Sequence, residues 1–317
     1  MYIKDSNIYK SIPEGYKQIF QNKFRNNISK HQVLNLVTDK KLSNRDIAIA
    51  EFLFNFKFAT ANNIYDFLKI NNILTLKKYK EGEEEKETSF ISIKSRLDKL
   101  VQYGILNKFT LSKIDELKNE ADALNIYCLD LGGKFLLTNY SNQDTVNWQT
   151  SINLNSSENV GKELFITNFY LKLLDVCNVV YFETHPLRKA DKINLSPSFE
   201  FAIESNGVKN YFIGEVTRQF DIPILFSKRI DKLDRLLSTN SWKKYYLDSQ
   251  VVPTLFIFTE TDELAVDASK LVFNTTNLEK VRFGTDERIF NNLSTGFLKY
   301  MPEHKKLKII KLKYFEK

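Results

Sequence analysis

Residues 89–104 carry an apolar pattern that fits one side of a helix, and this pattern limits the possible folds more than any other part of the chain. The apolar positions recur three or four residues apart and predict one buried stripe, formed by Ile93, Leu97, Leu100 and Gly104. The opposite side is polar and basic, with Ser92, Lys94, Ser95 and Lys99. Such a side can enter a DNA major groove, where hydroxyls reach base edges or phosphates and cations hold the backbone. An ordinary amphipathic surface helix is the alternative interpretation.

Two shorter helices are predicted before this segment. Ser43 or Asn44 can cap the first, which ends near Lys57, and Thr60 can cap the second. Between them and residue 89 lies a charged run, residues 77–87, which predicts a flexible loop. Because phosphates repel its acidic half, we expect this loop to point away from any duplex.

Two strands are predicted after the helix, over residues 105–111 and 125–131, with a polar excursion at 112–123. Gly132 and Gly133 then open a closing helix over 134–140. Three helices followed by strand, loop and strand is the winged-helix order, so residues 42–148 are predicted to form a winged helix-turn-helix domain. In a duplex contact Lys94, Arg96 and Lys99 would neutralise phosphates, and Ser92 and Ser95 would lie nearest the bases. The full set assigned to DNA contact is Ser89, Ser92, Lys94, Ser95, Arg96, Lys99, Lys108 and Lys113.

Residues 1–41 alternate basic and aromatic side chains, a composition that suits an arm lying along phosphates. A solvated helix or an extended cap without a ligand is the alternative. The side chains concerned are Tyr9, Lys10, Tyr16, Lys17, Phe20, Lys23, Phe24, Arg25, Lys30, Lys40 and Lys41.

The chain has 317 residues, which favours two domains, and a run rich in Asn and Ser predicts a linker over residues 149–160. Its 46 Lys and Arg exceed its 39 Asp and Glu, and the net charge of +7 favours a polyanionic partner. No apolar run approaches the length of a membrane span and the first residues do not form a signal peptide, so we expect a cytoplasmic protein. Cys128 and Cys177 are expected to be buried thiols, and no metal-binding spacing of His and Cys is present.

Three stretches resemble the replication-relaxation family of plasmid and conjugative-element proteins. They are NFKFATANNI at residues 55–64, RLDKLVQYGIL at 96–106 and IYCLDLGG at 126–133. The resemblance implies an N-terminal winged helix joined to a C-terminal region of restriction-endonuclease-like fold, and a role on the DNA of a mobile element.

The C-terminal half, residues 161–317, is predicted to be a domain of helices packed on a central mixed sheet. Strand-like runs lie at 179–184, 199–204, 211–217 and 251–259, with helices at 161–176 and 224–237. The continuous apolar run 253–258 indicates a strand buried on both faces. The fold class predicted for the whole chain is therefore α+β.

This order of helix, three strands, helix and strand resembles the core of the PD-(D/E)XK nucleases, whose second and third strands supply carboxylates to a divalent cation. Where an active member has Pro-Asp, this chain has Pro197-Ser198, and where it has Glu-x-Lys this chain has Glu215-Val216-Thr217. Glu200 shares a face with Ser198 and can replace the missing ligand, with Arg218 or Lys189 as the cation. We therefore predict a degenerate, inactive domain without a cofactor. Mg²⁺ with Glu200 and Glu215 is the alternative if the domain cleaves DNA.

Two further basic segments lie in this half. Lys228, Arg229, Lys232 and Arg235 recur on the helix at 224–237, and residues 242–246 place aromatic side chains among lysines. Such a surface can follow a nucleic-acid backbone or stack on single strands, and a solvated helix with packed aromatics is the alternative. The tail, residues 305–317, alternates lysines with apolar side chains and predicts an edge strand with its lysines outward.

Together these features predict a sequence-specific, double-stranded DNA-binding protein that acts in plasmid replication or relaxation, in conjugative transfer, or in their regulation. An active metal-dependent nuclease is one alternative, and a protein-interaction scaffold or transcriptional regulator is another. Expected partners are duplex DNA and other replication or relaxosome proteins, with a homodimer also open and no membrane.

Overall fold

The computed structural model describes residues 16–22, 28–74, 76–77, 86–113, 124–190, 193–205, 207–222 and 224–316. These residues form two compact units, an N-terminal unit that ends at Thr167 and a C-terminal unit that begins at Asn168. The fold is α+β, and its largest sheet is mixed, as the sequence predicts.

Two helices in the N-terminal unit begin at their predicted caps, Ser43 and Thr60. The Thr60 hydroxyl accepts from the Asn63 N–H at 3.2 Å while the Asn63 side-chain oxygen accepts from the Thr60 N–H at 2.9 Å, which satisfies two backbone donors at once. The helices are α1 (Lys30–Thr38), α2 (Asn44–Phe56), α3 (Ala61–Ile70), α4 (Phe90–Gln102) and α5 (Leu131–Tyr140). The strands are β1 (Tyr16–Phe20), β2 (Ala59–Thr60), β3 (Leu76–Lys77), β4 (Lys86–Glu87), β5 (Leu106–Lys113) and β6 (Ile126–Leu129).

The described part of the predicted basic arm belongs to this unit. Strand β1 is antiparallel to β5, with Tyr16 opposite Lys113, in a four-stranded sheet of order β1-β5-β6-β2. Over 16–22 and 28–41 the segment is held in the fold by ladder hydrogen bonds and by the capped helix α1, and its contact with phosphates stays a prediction. Residues 1–15 and 23–27 lie outside the described residues.

The predicted apolar stripe of α4 is buried, but its last member has another role. Ile93, Leu97 and Leu100 are fully buried. The helix ends at Gln102, and Gly104 follows with a φ of +65°, in the left-handed region that favours glycine at a helix end.

The closing helix begins three residues earlier than predicted. Asp130 caps it, with its Oδ1 accepting from the Leu131 N–H at 2.7 Å. A Cβ at Gly132 would lie 2.5 Å from the Gly104 carbonyl oxygen, so the two backbones can meet only at glycine. The pair Gly132-Gly133 therefore lies inside the first turn of α5 instead of before it.

The predicted linker at 149–160 is wrong, because ordered side-chain contacts hold this stretch. A 3₁₀ turn covers Thr150–Asn153, and the buried Asn153 side chain donates to the Leu129 carbonyl at 2.7 Å. Helix α6 (Ser157–Val176) begins inside the predicted linker, and the boundary between the two units falls within it.

The charged run at 77–87 is described only at its ends. Strands β3 and β4 are antiparallel, with Leu76 opposite Glu87. Residues 78–85 lie outside the described part of the chain, as do residues 114–123 between β5 and β6.

A seven-stranded sheet forms the centre of the C-terminal unit, in the order β15-β14-β13-β12-β11-β10-β7. Its middle pairs, β11 with β12 and β12 with β13, are parallel, and its outer pairs are antiparallel. The strands of the unit are β7 (Val179–Thr184), β8 (Arg188–Ala190), β9 (Ile193–Leu195), β10 (Phe199–Ser205), β11 (Val208–Val216), β12 (Thr254–Thr259), β13 (Val281–Thr285), β14 (Phe297–Met301) and β15 (Lys306–Ile310). The helices after α6 are α7 (Ile224–Ser238), α8 (Asp262–Thr275) and α9 (Asp286–Asn291).

The two faces of this sheet differ in chemistry. One face is a layer of stacked phenylalanine rings, and a Cβ at Gly214 would lie 2.2 Å from the Phe199 ring. The other face packs its aliphatic side chains, such as Ile213 and Ile257, against α7 and α8. Because Glu200 pairs opposite Ile213 and Glu215 lies two residues beyond it, both carboxylates point to this second face. The rings of the first face include Phe199, Phe201, Phe212, Phe256, Phe258 and Phe297.

Several predictions for this half are confirmed and others are incomplete. Strand β12 is buried along Leu255–Thr259, and β15 is an edge strand with Lys306 and Lys308 exposed. The β8–β9 hairpin, α8, β13 and β14 were not predicted. Cys128 is buried, whereas Cys177 is only half-buried. Within the described residues no helix is long and apolar enough to cross a membrane.

Candidate functional site

The outward side of α4 is the first candidate site. Lys94, Ser95 and Lys99 are exposed, and Ser92 is half-buried. Ser89 is the N-cap, and its hydroxyl accepts from the Ser92 N–H at 3.3 Å. These polar side chains are accessible, and the helix also exposes the apolar Ile91, at 76%. The positive end of the helix dipole adds to the charge at the N-terminus of α4.

Arg96 has a different role from the one predicted. Its guanidinium donates to the Asp46 carboxylate at 2.8 and 2.6 Å and to the Lys41 carbonyl at 2.6 Å. Asp46 is fully buried and also accepts from the N–H and hydroxyl of Ser43. Burial alone would raise the pKa of Asp46, but the bonds from Arg96 and Ser43 outweigh it, so this pKa lies below its usual value. Arg96 therefore joins α4 to α2, and its guanidinium is engaged within the fold instead of facing phosphates.

The two lysines of β5 are also engaged. Lys108 forms an ion pair with Asp98 at 2.7 Å, and the ammonium of Lys113 lies 5.7 Å from the centre of the Tyr16 ring. Ser92, Lys94, Ser95 and Lys99 together form the α4 surface. Its two cations, Lys94 and Lys99, have no carboxylate partner among the described residues.

The second candidate site is the carboxylate-bearing face of the large sheet. Glu215 is buried and accepts from Arg229, whose Nη2 lies 2.9 Å from one carboxylate oxygen and whose Nε contacts the other. The Ser198 N–H donates to the same carboxylate at 3.3 Å. The Ser198 hydroxyl in turn accepts from the Val216 N–H at 3.0 Å. Ser198 therefore joins the start of β10 to β11 through both its backbone and its hydroxyl.

Glu200 is neutralised in a similar way. Its carboxylate is fully buried and accepts from Arg188, with the shortest contact at 2.6 Å. Arg188 also contacts the Glu183 carboxylate at 3.2 Å and lies 5.0 Å from the centre of the Tyr245 ring. Burial raises the pKa of Glu200, and its hydrogen bonds to Arg188 act in the opposite direction.

The predicted cations for this site, Arg218 and Lys189, are thus replaced by Arg188 and Arg229. Arg218 is buried and forms an ion pair with Asp286 at 3.0 Å. Arg188 was missed although it precedes Lys189, because strand alternation decides which of two adjacent cations faces the carboxylates, and the hairpin that sets this alternation had not been predicted. The Thr217 hydroxyl, where an active nuclease carries lysine, has no hydrogen-bond partner among the described residues.

The carboxylates of this arrangement have guanidinium partners. Among the described residues no group of three or more His, Cys, Asp or Glu side chains can hold a metal ion. Mg²⁺ prefers carboxylate oxygens, and those of Glu200 and Glu215 already accept from guanidinium groups. A buried ion pair of this kind holds its neighbours in one geometry.

The aromatic side chains of residues 242–246 are not a stacking surface. Trp242 and Tyr246 are buried in the core beside α7, and Tyr245 is half-buried. On α7, Arg235 pairs with Asp231 at 2.9 Å, and Lys228 and Lys232 are exposed. The single-strand stacking interpretation is therefore wrong for Trp242 and Tyr246, and the basic interpretation of α7 stays a prediction.

Comparison with known proteins gave no relatives. No protein-family model, curated protein or solved structure matches the chain.

Proposed function

We propose that this chain is a sequence-specific, double-stranded DNA-binding protein whose N-terminal unit is a winged helix-turn-helix domain. The observation that carries the proposal is α4, which buries Ile93, Leu97 and Leu100 and exposes Lys94, Ser95 and Lys99. A recognition helix needs this division, because it must be anchored in the core while presenting hydroxyls and cations to a groove.

The neighbouring elements support this assignment. Helices α2, α3 and α4 precede the antiparallel strands β5 and β6, which are the elements of a winged helix in the right order. The ion pair between Arg96 and Asp46 fixes the rotation of α4 about its axis relative to α2. A fixed rotation keeps the serines and lysines on one outward side, which a base-reading helix requires.

The α4 surface divides its contacts by chemistry. Lys94 and Lys99 supply point charges for phosphates, and these give affinity without sequence information. Ser95, exposed between them, and the half-buried Ser92 supply short donors and acceptors for base edges. Lys113, at the end of β5, is a further cation, on the strand pair β5–β6 that corresponds to the wing.

For the C-terminal unit we propose a nuclease-like domain that does not cleave DNA. Glu200 on β10 and Glu215 on β11 are the carboxylates that the resemblance to nucleases would assign to its second and third strands, and each is paired with an arginine. Cation binding would have to displace both guanidinium groups. Arg188, whose side chain is 12% exposed, would lose its Glu200 partner in a mostly buried site at a cost of several kcal/mol, whereas Arg229, at 39%, can turn to solvent. The resemblance to replication-relaxation proteins supports a place in plasmid replication, conjugative transfer or their control.

The DNA-binding proposal is tested with Lys94→Gln/Lys99→Gln in the full chain. Fluorescence anisotropy on a labelled duplex gives the dissociation constant at several salt concentrations. Loss of two phosphate contacts should lower the slope of log K against log[salt] by about 2 in magnitude. Lys280→Gln/Lys299→Gln removes the same charge from exposed positions of the C-terminal unit and serves as the control. An equal change in both variants, or none in either, would show that α4 does not contact DNA.

A further inference from the structure

We propose that the C-terminal unit makes a second contact with the DNA backbone, through three lysines gathered around the β8–β9 hairpin. Lys189 and Asn194 lie opposite each other in this hairpin. The Lys232 ammonium donates to the Asn194 carbonyl at 3.1 Å, and the Lys244 ammonium donates to the Lys189 carbonyl at 3.3 Å. Lys189, Lys232 and Lys244 are named the hairpin patch. This inference rests on the proposed DNA-binding function but uses none of the α4 residues.

The patch is held in place by contacts from two other segments. Arg229 on α7 donates to the Ser196 carbonyl at 2.8 Å, just after β9. Tyr245 accepts from the Lys189 N–H through its hydroxyl. The hairpin is thus fixed both to α7 and to the 3₁₀ turn Ser241–Lys244, and its lysines are presented on a defined surface.

Most acids near this surface have cationic partners. Arg229 pairs with Glu215 and Arg235 with Asp231, whereas Arg188 is shared between Glu200 and the partly exposed Glu183. All three lysines of the hairpin patch are exposed, and none forms an ion pair with a described residue. Each ammonium has three donors, so the bonds of Lys232 and Lys244 to carbonyls leave others for phosphate oxygens. A polyanion would relieve the mutual repulsion of three like charges.

The surrounding aromatic side chains favour a phosphate backbone over exposed bases. Trp242 and Tyr246 are buried, and cations lie over the half-buried Tyr245 ring, with Arg188 at 5.0 Å and Lys244 at 5.8 Å from its centre. Stacking on single strands requires a free ring face, whereas duplex phosphates require only positive charge. The contact would therefore add affinity without sequence preference.

The experiment uses the full chain with Lys189→Gln/Lys232→Gln/Lys244→Gln. Anisotropy titrations on a duplex of arbitrary sequence, from about 50 to 200 mM salt, should give a slope of log K against log[salt] smaller by about 2.7 than that of the wild type. The control is Lys299→Gln/Lys306→Gln/Lys308→Gln, which removes the same charge from exposed positions on β14 and β15. The slope of log K against log[salt] for this control should change by less than about 0.9, the value of one phosphate contact. Circular dichroism melting checks that both variants fold, and Lys232→Gln alone should lower the slope by about 0.9.

The outcomes separate this inference from the proposed function. If the wild type binds no duplex, the proposed function fails. If Lys94→Gln/Lys99→Gln weakens binding as expected but the hairpin-patch variant keeps the wild-type slope, only the second contact is overturned. Equal losses in the patch variant and its control would also overturn it, because net charge alone would then explain the effect.

Discussion

Replacing Arg96 should damage folding far more than its charge alone would suggest. Arg96→Met removes three hydrogen bonds, two to Asp46 and one to the Lys41 carbonyl, and leaves a fully buried carboxylate. Removing one partner of a buried ion pair costs about 3–5 kcal/mol. Because Ser43 still donates twice to Asp46, we expect about 3 kcal/mol, the lower end of this range.

Tryptophan fluorescence can isolate the unit concerned. The chain has two tryptophans, Trp148 in the N-terminal unit and Trp242 in the C-terminal unit. In a Trp242→Phe background the remaining signal reports the N-terminal unit alone. With an m value of about 2 kcal/mol per M, a loss of about 3 kcal/mol should lower the urea midpoint by about 1.5 M.

The pH dependence gives a second check. In the wild type the pKa of Asp46 is depressed, so the stability from this group is present above the ordinary carboxyl pKa and is lost as the pH falls through the folded value. In the variant, burial without Arg96 raises the pKa of Asp46, so protonation relieves the cost. The difference in urea midpoint should therefore shrink as the pH falls from 7 towards about 4.

The opposite pattern would refute this reasoning. In that pattern Arg96→Met leaves the urea midpoint unchanged and lowers the slope of log K against log[salt] by about 0.9. Arg96 would then contact a phosphate and would not hold the two helices together. Lys94→Met, at an exposed position on the same helix, is the matched control and should leave the free energy of unfolding within about 0.5 kcal/mol of the wild type.

Two further predictions concern buried carboxylates. Burial raises the pKa of Asp130 to about 6, and its Oδ2 has no hydrogen-bond partner among the described residues, so its ionised form costs stability above that pH. Asp130→Asn should keep the cap to Leu131. The free energy of unfolding of the variant relative to the wild type should be about 3 kcal/mol higher at pH 7 than at pH 4, because only the wild type loses a buried charge as the pH falls; a difference that does not depend on pH would contradict this. Incubation with supercoiled plasmid and Mg²⁺ or Mn²⁺ should leave the plasmid intact, whereas cleavage that Glu215→Ala abolishes would overturn the inactive assignment.

Arginine partners stabilise the buried carboxylates of the seven-stranded sheet. A buried carboxylate must be protonated or paired, since an isolated charge in a core is too costly. In the C-terminal unit Arg188 and Arg229 meet this requirement for Glu200 and Glu215. Glu200 and Glu215 thus form structural ion pairs, and Lys189, Lys232 and Lys244 are exposed near them.

Local signals in the sequence were sufficient for most helices and several strands. Ser43 and Thr60 cap helices where predicted, because a cap acts through backbone donors only two or three residues away. The spacing of Ile93, Leu97 and Leu100 identified the buried side of α4 in the same way. The apolar run 253–258 indicated a central strand, because burial on both faces removes the usual alternation.

Tertiary structure decided which partners the charged side chains have. Arg96 and Asp46 are separated by 50 residues, and Glu215 and Arg229 lie on a strand and on the helix that packs over it. A periodic sequence pattern cannot predict such pairs, because they depend on how helices and strands pack and on strand register. For the same reason the sequence alone placed β1 in an arm and missed the β8–β9 hairpin. The sequence therefore identified the outward side of α4. Only the fold showed that Arg96 is paired with Asp46, whereas Lys94 and Lys99 have no carboxylate partner among the described residues.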